Sequence, residues 1–314
     1  MGMDLVIIVV SYNTRELLAG CLESLYDGLN QSGLDGEVWV VDNASSDGSA
    51  AMVKSRFPGV HLVAHEENLG FAAGNNLALH KMGFGSEVKP RHVLFLNPDT
   101  RVLGGSLEAL MEFLDGAPKA GAAGAGLVYG DGSFQHSAFA FPDLKQMFFD
   151  FYPVHHRLLD SSLNGRYARR LYDEGEAFRI DHPLGAALMV RGSTLAEMGG
   201  FDERFFMYCE EIDLCRRIDA AGWETYCVPR ARIVHFAGQS TDQFRDKMFV
   251  ALWRSRYLLF EEYESKSFCW AARRLVHMGL GSRNRKAMAA HSRGEIGDEE
   301  FERRLRAYVE VRAL

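Results

Sequence analysis

At 314 residues the chain can bury a substantial core, as one large domain or as one domain with an appendage. A hydrophobic content of 47% with 25% charged residues is that of an ordinary globular protein, and a net charge of -7 without a basic, aromatic-interleaved tract excludes a nucleic-acid binder. The five cysteines form no C-x-x-C pair, which excludes a disulfide framework and predicts reduced core residues of a cytoplasmic protein.

The first ten residues lack the basic region and small-residue cleavage site of a signal peptide, and no apolar run is long enough to span a bilayer. Leu5 to Val10 is a continuous Val/Ile run, a buried strand that ends in Ser11-Tyr12-Asn13. Thr14 is placed to cap a helix reaching about Leu29. Val38 to Val41 is a second buried strand that stops at Asp42-Asn43, and a polar loop with Ser46 or Asp47 as cap leads into a second helix. Val60 to Ala64 is a third strand, and Asn68-Leu69-Gly70 opens a helix over Phe71 to Met82. The next apolar run, from His92, is cut off by Asn97-Pro98-Asp99, because Pro98 donates nothing to a ladder and keeps Asn97 out of helical space. A helix from about Ser106 to Leu114 follows. Strand and helix in alternation predict a parallel, doubly wound sheet, whose strand ends Tyr12, Asp42, Asn97 and Asp99 line one crevice.

The second half is less regular. Gly121 to Gly126 has its glycines in the wrong order for a dinucleotide fingerprint, and Leu127 to Phe134 around Gly130-Asp131-Gly132 reads as a hairpin. Phe141 to Phe178 is aromatic and basic without clear periodicity. Gly185 to Arg191 is a small-residue strand, Gly199-Gly200-Phe201-Asp202 a turn, and a helix from Tyr208 or Cys209 runs to Ala221, stopped by Gly222. Glu224 to Val228 and Arg232 to His235 read as two short strands, and the chain is helical from Asp242. After Lys266, Trp270, Leu275, Met278 and Leu280 sit among Arg273, Arg274, Arg283, Arg285 and Lys286. Such a basic amphipathic pattern suits an anionic membrane surface, and equally suits packing on the core or on a partner subunit.

Five positions carry the chemistry. Asp99, at the carboxyl end of a strand, is placed to hold a hard divalent cation. A single carboxylate leaves such an ion short of ligands, and the strand-end His235 can supply one, with substrate phosphates filling the rest. Tyr12 can stack on a nucleobase and Asp42 can accept from a base N–H. At helical spacing Met207, Glu211, Leu214 and Ile218 share one stripe, while Glu210, Asp213 and Arg217 lie on a polar face. Glu211 is then the inward acid near a helix N-terminus, held between burial and the helix dipole, as a general base requires.

These stretches resemble the family 2 nucleotide-sugar glycosyltransferases of GT-A fold, in their rhamnosyltransferase-like bacterial branch. The matching segments, in the family's order, are Val9 to Asn13, Val40 to Gly48, Asn68 to Asn76, Leu96 to Asp99, Gly185 to Arg191 and Gly199 to Leu214. The resemblance implies an α/β GT-A domain over residues 1–240, with a mostly parallel sheet flanked by helices. Residues 1–115 are its nucleotide-sugar half and 116–240 its acceptor half, and 241–314 form a C-terminal helical region. It implies donor contacts by Ser11, Tyr12, Asp42, Asn43, Asn68, Asn76 and Asn97, a Mg²⁺ or Mn²⁺ ion on Asp99 and His235, and Glu211 as catalytic base. His182, Gly185 and Glu210 fall on the acceptor side.

The activity so implied is inverting transfer of a sugar, such as rhamnose, from a dTDP- or UDP-sugar to a glycan or lipid-linked acceptor in surface polysaccharide synthesis. The protein is then cytoplasmic, soluble or peripheral on the inner membrane, with membrane contact or dimerisation assigned to the C-terminal helices. A nucleotide-sugar pyrophosphorylase is the nearest alternative by architecture, but Ser11-Tyr12-Asn13-Thr14 is not the Gly-rich, Arg-containing loop that enzyme needs. A non-catalytic nucleotide-sugar or glycan-binding module is the other.

Overall fold

Seven consecutive buried residues, Leu5–Ser11, form β1, the strand about which the sheet is laid out. Only a parallel strand covered on both faces reads as so unbroken an apolar run. The computed structural model describes residues 3–152, 155–237 and 245–314. After β1 come α1 (Arg15–Ser32), β2 (Gly36–Asn43), α2 (Ser49–Arg56), β3 (His61–His65), α3 (Gly70–Lys81) and β4 (His92–Leu96). The short β5 (Thr100–Val102), α4 (Ser106–Gly116) and β6 (Ala120–Val128) follow, then the two-residue strands β7 (Phe134–Gln135) and β8 (Ala138–Phe139). Next are α5 (Leu144–Phe151), α6 (His156–Leu159), α7 (Arg169–Asp173), β9 (Phe178–Ile180), β10 (His182–Pro183), β11 (Ala187–Arg191) and α8 (Gly192–Met198). The chain ends with α9 (Glu210–Ala220), β12 (Glu224–His235), α10 (Arg245–Tyr263), α11 (Lys266–Ser292) and α12 (Asp298–Ala313).

The main sheet runs β3-β2-β1-β4-β11-β6-β12-β5. Chain order reverses at β1, with β2 on one side and β4 on the other, both parallel to it. That is the switch point at which open α/β sheets bind ligands. The register sets Ser11 beside Asp42 and Val9 beside Leu96, so β1, β2 and β4 end together. β11 enters antiparallel between β4 and β6, which brings its leading residues Gly185 and Ala186 to the same edge; the amide of Asn97 donates to the Ala186 carbonyl at 2.9 Å.

Two stretches differ from the sequence reading. Gly121 to Gly126 is the middle of β6, a fully buried strand. Small residues are required there: a Cβ on Gly124 would stand 2.3 Å from the Pro183 side chain, and one on Gly121 would stand 2.9 Å from Trp223. Glu224 to His235 is one strand, not two, with register shifts at Glu224/Thr225 and Val228/Arg232 in its pairing with β6. The hairpin is present, with β7 antiparallel to β6. Thr14 makes no capping hydrogen bond to its helix; its hydroxyl pairs with Ser11 Oγ at 2.9 Å.

The chain divides into two compact units. One holds the sheet and runs to Ala140, over Tyr167–Phe206, and on from Glu210 through β12. The other takes Phe141–Arg166, Met207–Cys209 and the C-terminal helices. The aperiodic stretch after Phe141 thus belongs with α10–α12, where Met147 and Phe151 join a core with Trp253, Phe260, Val276 and Leu280. The 240/241 boundary and the helix start at Asp242 lie outside the described residues. No described helix is long and apolar enough to cross a membrane.

The close approach at Gly124 gives a test. Gly124→Ala should overpack the β6–β10 contact and lower the unfolding free energy by about 1–3 kcal/mol, read as a fall in the urea midpoint at unchanged m-value.

Candidate active site

The nucleotide side is built from two strand-end turns tied to each other. Beyond β1, Asn13 sits at φ 52°, and beyond β2, Ala44 sits at φ 64°. Positive φ at non-glycine residues is strained and persists only where surrounding bonds enforce it. Here the Asn13 amide donates to Ser45 Oγ at 2.9 Å and the Ser46 amide donates to Asn13 Oδ1 at 2.8 Å. Asp42 Oδ2 accepts from the Ser45 amide at 3.1 Å. The other oxygen, Asp42 Oδ1, is buried and has no hydrogen-bond partner among the described residues. A buried acceptor left so is unfavourable until a donor arrives, which fits a base N–H. Tyr12 is half-buried beside it.

The amides suggested for the donor have structural work. Asn43 Nδ2 donates to the Gly70 carbonyl at 2.8 Å, and Asn68 Oδ1 accepts from the Gly70 amide at 2.9 Å. Asn76 is fully engaged elsewhere: Nδ2 donates to the Phe201 carbonyl and to Glu203, and Oδ1 accepts from the Phe201 amide. It clamps α3 to the Gly199–Asp202 turn. Asn97 is held through its backbone, its carbonyl accepting from Thr100 Oγ1 at 2.7 Å.

The cation corner is assembled by β12. Its last residue, His235, pairs with Thr100 on β5, and the Phe236 amide donates to the Asp99 carbonyl at 2.9 Å. This sets His235 Nε2 3.5 Å from Asp99 Oδ1, with Asp99 only 1% exposed. Adjacent ligands of an octahedral ion at about 2.1 Å stand about 3 Å apart, so a small adjustment lets both reach one cation. Among the described residues no group of three His, Cys, Asp or Glu is in place for a metal. Carboxylate plus imidazole therefore fit a cation that draws its other ligands from substrate oxygens. A residue that the sequence reading missed joins them: Gln135 Nε2 lies 3.1 Å from His235 Nδ1. Its one legible signal is a polar side chain in a strand that turns it inward.

α9 carries the acids. It starts only at Glu210, directly after Tyr208 and Cys209, both at φ 68°. Met207 is therefore not in the helix, while Glu211 keeps its place on the stripe with the buried Leu214 and Ile218. Glu210 and Asp213 are the buried acids, at 5% and 2% exposure, and Glu211 is half-buried. Asp213 is neutralised by Arg217, whose Nε donates to Asp213 Oδ2 at 2.9 Å. Glu210 has no such cation. Burial, with the charge of Glu211 beside it, raises its carboxyl well above the usual range. Glu211 lies against Gly185, where a Cβ would come within 3.4 Å of its carboxyl carbon. His182, just before, is buried and stacks on Phe139; burial lowers its pKa to about 4. Glu210 and His182 are thus both buried side chains. None of the five cysteines is in a disulfide, and burial pushes the Cys21 thiol up to about 12.

The fold is the GT-A architecture, and the class of protein it defines here is a glycosyltransferase. Residues 6–169 match the family model "Glycosyl transferase family 2". The chain is 30% identical over 237 residues to an N-acetylglucosaminyl-diphospho-decaprenol L-rhamnosyltransferase of Mycobacterium tuberculosis, covering 73% of this chain and 75% of that protein. It is also 39% identical over 70 residues, 22% of this chain and 26% of the other, to the rhamnosyltransferase WbbL of Escherichia coli. Among solved structures, a mannosyltransferase of Pyrobaculum calidifontis in complex with GDP-Man and Mn²⁺ superposes with a TM-score of 0.57 at 17% identity, over 93% of this chain and 76% of that one. The chain belongs to glycosyl transferase family 2. It is a glycosyltransferase with rhamnosyltransferase relatives, which sets aside the pyrophosphorylase alternative.

The raised pKa of Glu210 has a stability signature. Between the unfolded value near 4.5 and the folded value, the folded state holds more protons, so stability falls as pH rises through that window. Glu210→Gln removes the effect. Measured by urea unfolding, the variant should gain on wild type from pH 4.5 upward, by at most about 1.4 kcal/mol per pH unit.

Proposed function

We propose that the protein transfers a sugar, rhamnose first among the choices, from a dTDP- or UDP-sugar to a hydroxyl of a lipid-linked or glycan acceptor, with inversion and with Mn²⁺ or Mg²⁺ as cofactor. The observation that carries this reading is one edge holding both halves of the chemistry. Asp99 and His235 converge at 3.5 Å, and Asn97 is bonded to Ala186, whose neighbour Gly185 packs on Glu211. The imidazole tilts the ion choice toward Mn²⁺, since Mg²⁺ takes mostly oxygen. Rhamnose and a lipid-linked acceptor are suggested by the name of the mycobacterial relative.

Tyr12 stacks on the base and Asp42 Oδ1 accepts its N–H. Asp99 and His235 hold the divalent ion, which neutralises charge on the departing diphosphate when bound. Glu211 takes the proton of the acceptor hydroxyl as its oxygen bonds to the anomeric carbon and the bond to diphosphate breaks. A single displacement inverts that carbon. Gly185 leaves room for Glu211 to approach from the acceptor side.

A membrane surface is met through α11. This helix contains no Asp or Glu, and Trp270, Met278 and Met288 are 63%, 59% and 54% exposed. At 100° per residue these three, with Arg274 and Arg285, lie on one face, and Arg274 stacks over Trp270 at 5.5 Å. A cationic face with Trp and Met suits an anionic bilayer. A second copy of the same face would be repelled, so dimerisation through it is disfavoured.

Two outcomes are expected. Glu211→Gln should lower kcat by roughly 10²–10⁴-fold while nucleotide binding, read by thermal shift with UDP or dTDP and Mn²⁺, stays unchanged; near-normal transfer would remove Glu211 from its role. Wild type should sediment with phosphatidylglycerol vesicles and not with phosphatidylcholine alone, and Trp270→Ser/Arg274→Glu should weaken that binding by roughly tenfold or more. Equal sedimentation of the variant would dismiss the α11 contact.

A further inference from the structure

Gln135 and His235 form a buried pair, 6% and 7% exposed, at the cation corner. Gln135 is fixed by β7, where it faces Leu127 of β6, and β6 in turn pairs with β12, which ends in His235. The Gln135 Nε2 amide can only donate. At 3.1 Å from His235 Nδ1 it makes that nitrogen the acceptor, so the ring proton sits on Nε2, facing Asp99 Oδ1 at 3.5 Å. In this tautomer Nε2 has no lone pair for a cation. A doubly protonated ring would set donor against donor at Gln135.

The other end of the amide, Gln135 Oε1, is buried without a hydrogen-bond partner among the described residues. Nothing there holds the amide in one orientation. A half-turn of the amide plane exchanges oxygen and nitrogen at constant volume. Oε1 then accepts from Nδ1–H, and the Nε2 lone pair faces the Asp99 side. Metal-ligating histidines characteristically donate their second N–H to a partner of this kind.

We propose that Gln135 is the positioning residue that sets the tautomer of His235: Nε2–H toward Asp99 before a cation binds, Nε2 lone pair toward a bound cation. The proposal rests on the reading of Asp99 and His235 as cation ligands. It gives the amide, which can both donate and accept, a reason to be there: a carboxylate would serve only the loaded state, and an apolar residue neither.

The test is Mn²⁺ affinity, followed by electron paramagnetic resonance of free Mn²⁺ with UDP or dTDP present, for wild type, Gln135→Glu and Gln135→Met. Gln135→Met should bind Mn²⁺ roughly 10–100-fold more weakly. Gln135→Glu, which accepts but cannot donate, should bind at least as tightly as wild type. ¹⁵N spectra of His235 in the diamagnetic Mg²⁺–UDP complex should show the proton on Nδ1, a readout that stands even where Gln135→Met does not fold. Wild-type affinity in Gln135→Met, equal weakening in Gln135→Glu, or an unprotonated Nδ1 would each overturn the proposal while leaving the cation reading intact. Failure of wild type to bind Mn²⁺ with either nucleotide would overturn both.

Discussion

The parallel register of β1 with β2 and β4 is the constraint on which the site depends. Ser11 faces Asp42 across one ladder, and Val9 faces Leu96 across the other. Side chains alternate faces along a strand, so a slip of one residue would exchange the two packed faces and mismatch every core contact. The unbroken burial of β1 and β4 makes such a slip prohibitive. Once the register is locked, the three strands must stop in step. Their polar ends then collect at one edge although they are far apart in sequence. β12 brings His235 to that edge by the same means, through its pairing with β6 and β5. The apolar core thus fixes where the charged groups go.

Strain is concentrated at the same edge. Among the described residues the non-glycine positions at positive φ are Asn13, Ala44, Tyr208 and Cys209. The first two follow Tyr12 and Asn43, and the last two precede Glu210. Each turns the chain sharply where a straight continuation would carry a functional side chain away. The Asn13–Ser45 and Asn13–Ser46 bonds show what holds two of these turns. This is the pattern expected where backbone strain is kept because it positions chemistry.

Much of the layout was legible because burial writes itself plainly in Val/Ile runs and proline ends them. Leu5 to Val10, Val38 to Val41 and the run before Asn97 needed no more than that. The pairing of Asp99 with His235 followed from ligand arithmetic, and the structure sets them side by side. The rest depends on contacts that no local pattern encodes. Gly121 to Gly126 reads as no strand at all, since glycine and alanine are poor strand formers. It is one because Pro183 and Trp223 lie too close for larger side chains. The antiparallel entry of β11 has no signature in its own composition. Asn76 sat inside a family-like motif, but its amide is spent on the backbone of Phe201, a residue that only folding brings near.

The acids of α9 show how neighbouring carboxyls meet different surroundings. Adjacent glutamates differ by about 100° around a helix. Burial of Glu210, and after it the charge on Glu211, raises its carboxyl well above the usual range and favours the protonated form. Asp213 is settled by Arg217. Of the three acids only Glu211 is both partly exposed and set against Gly185 at the edge that Asn97 and Ala186 share. The sequence argument reached the same residue by calling it the inward acid. In the structure Glu210 is the more buried of the two, and Glu211 keeps one carboxyl oxygen buried on the face it shares with Leu214 and Ile218.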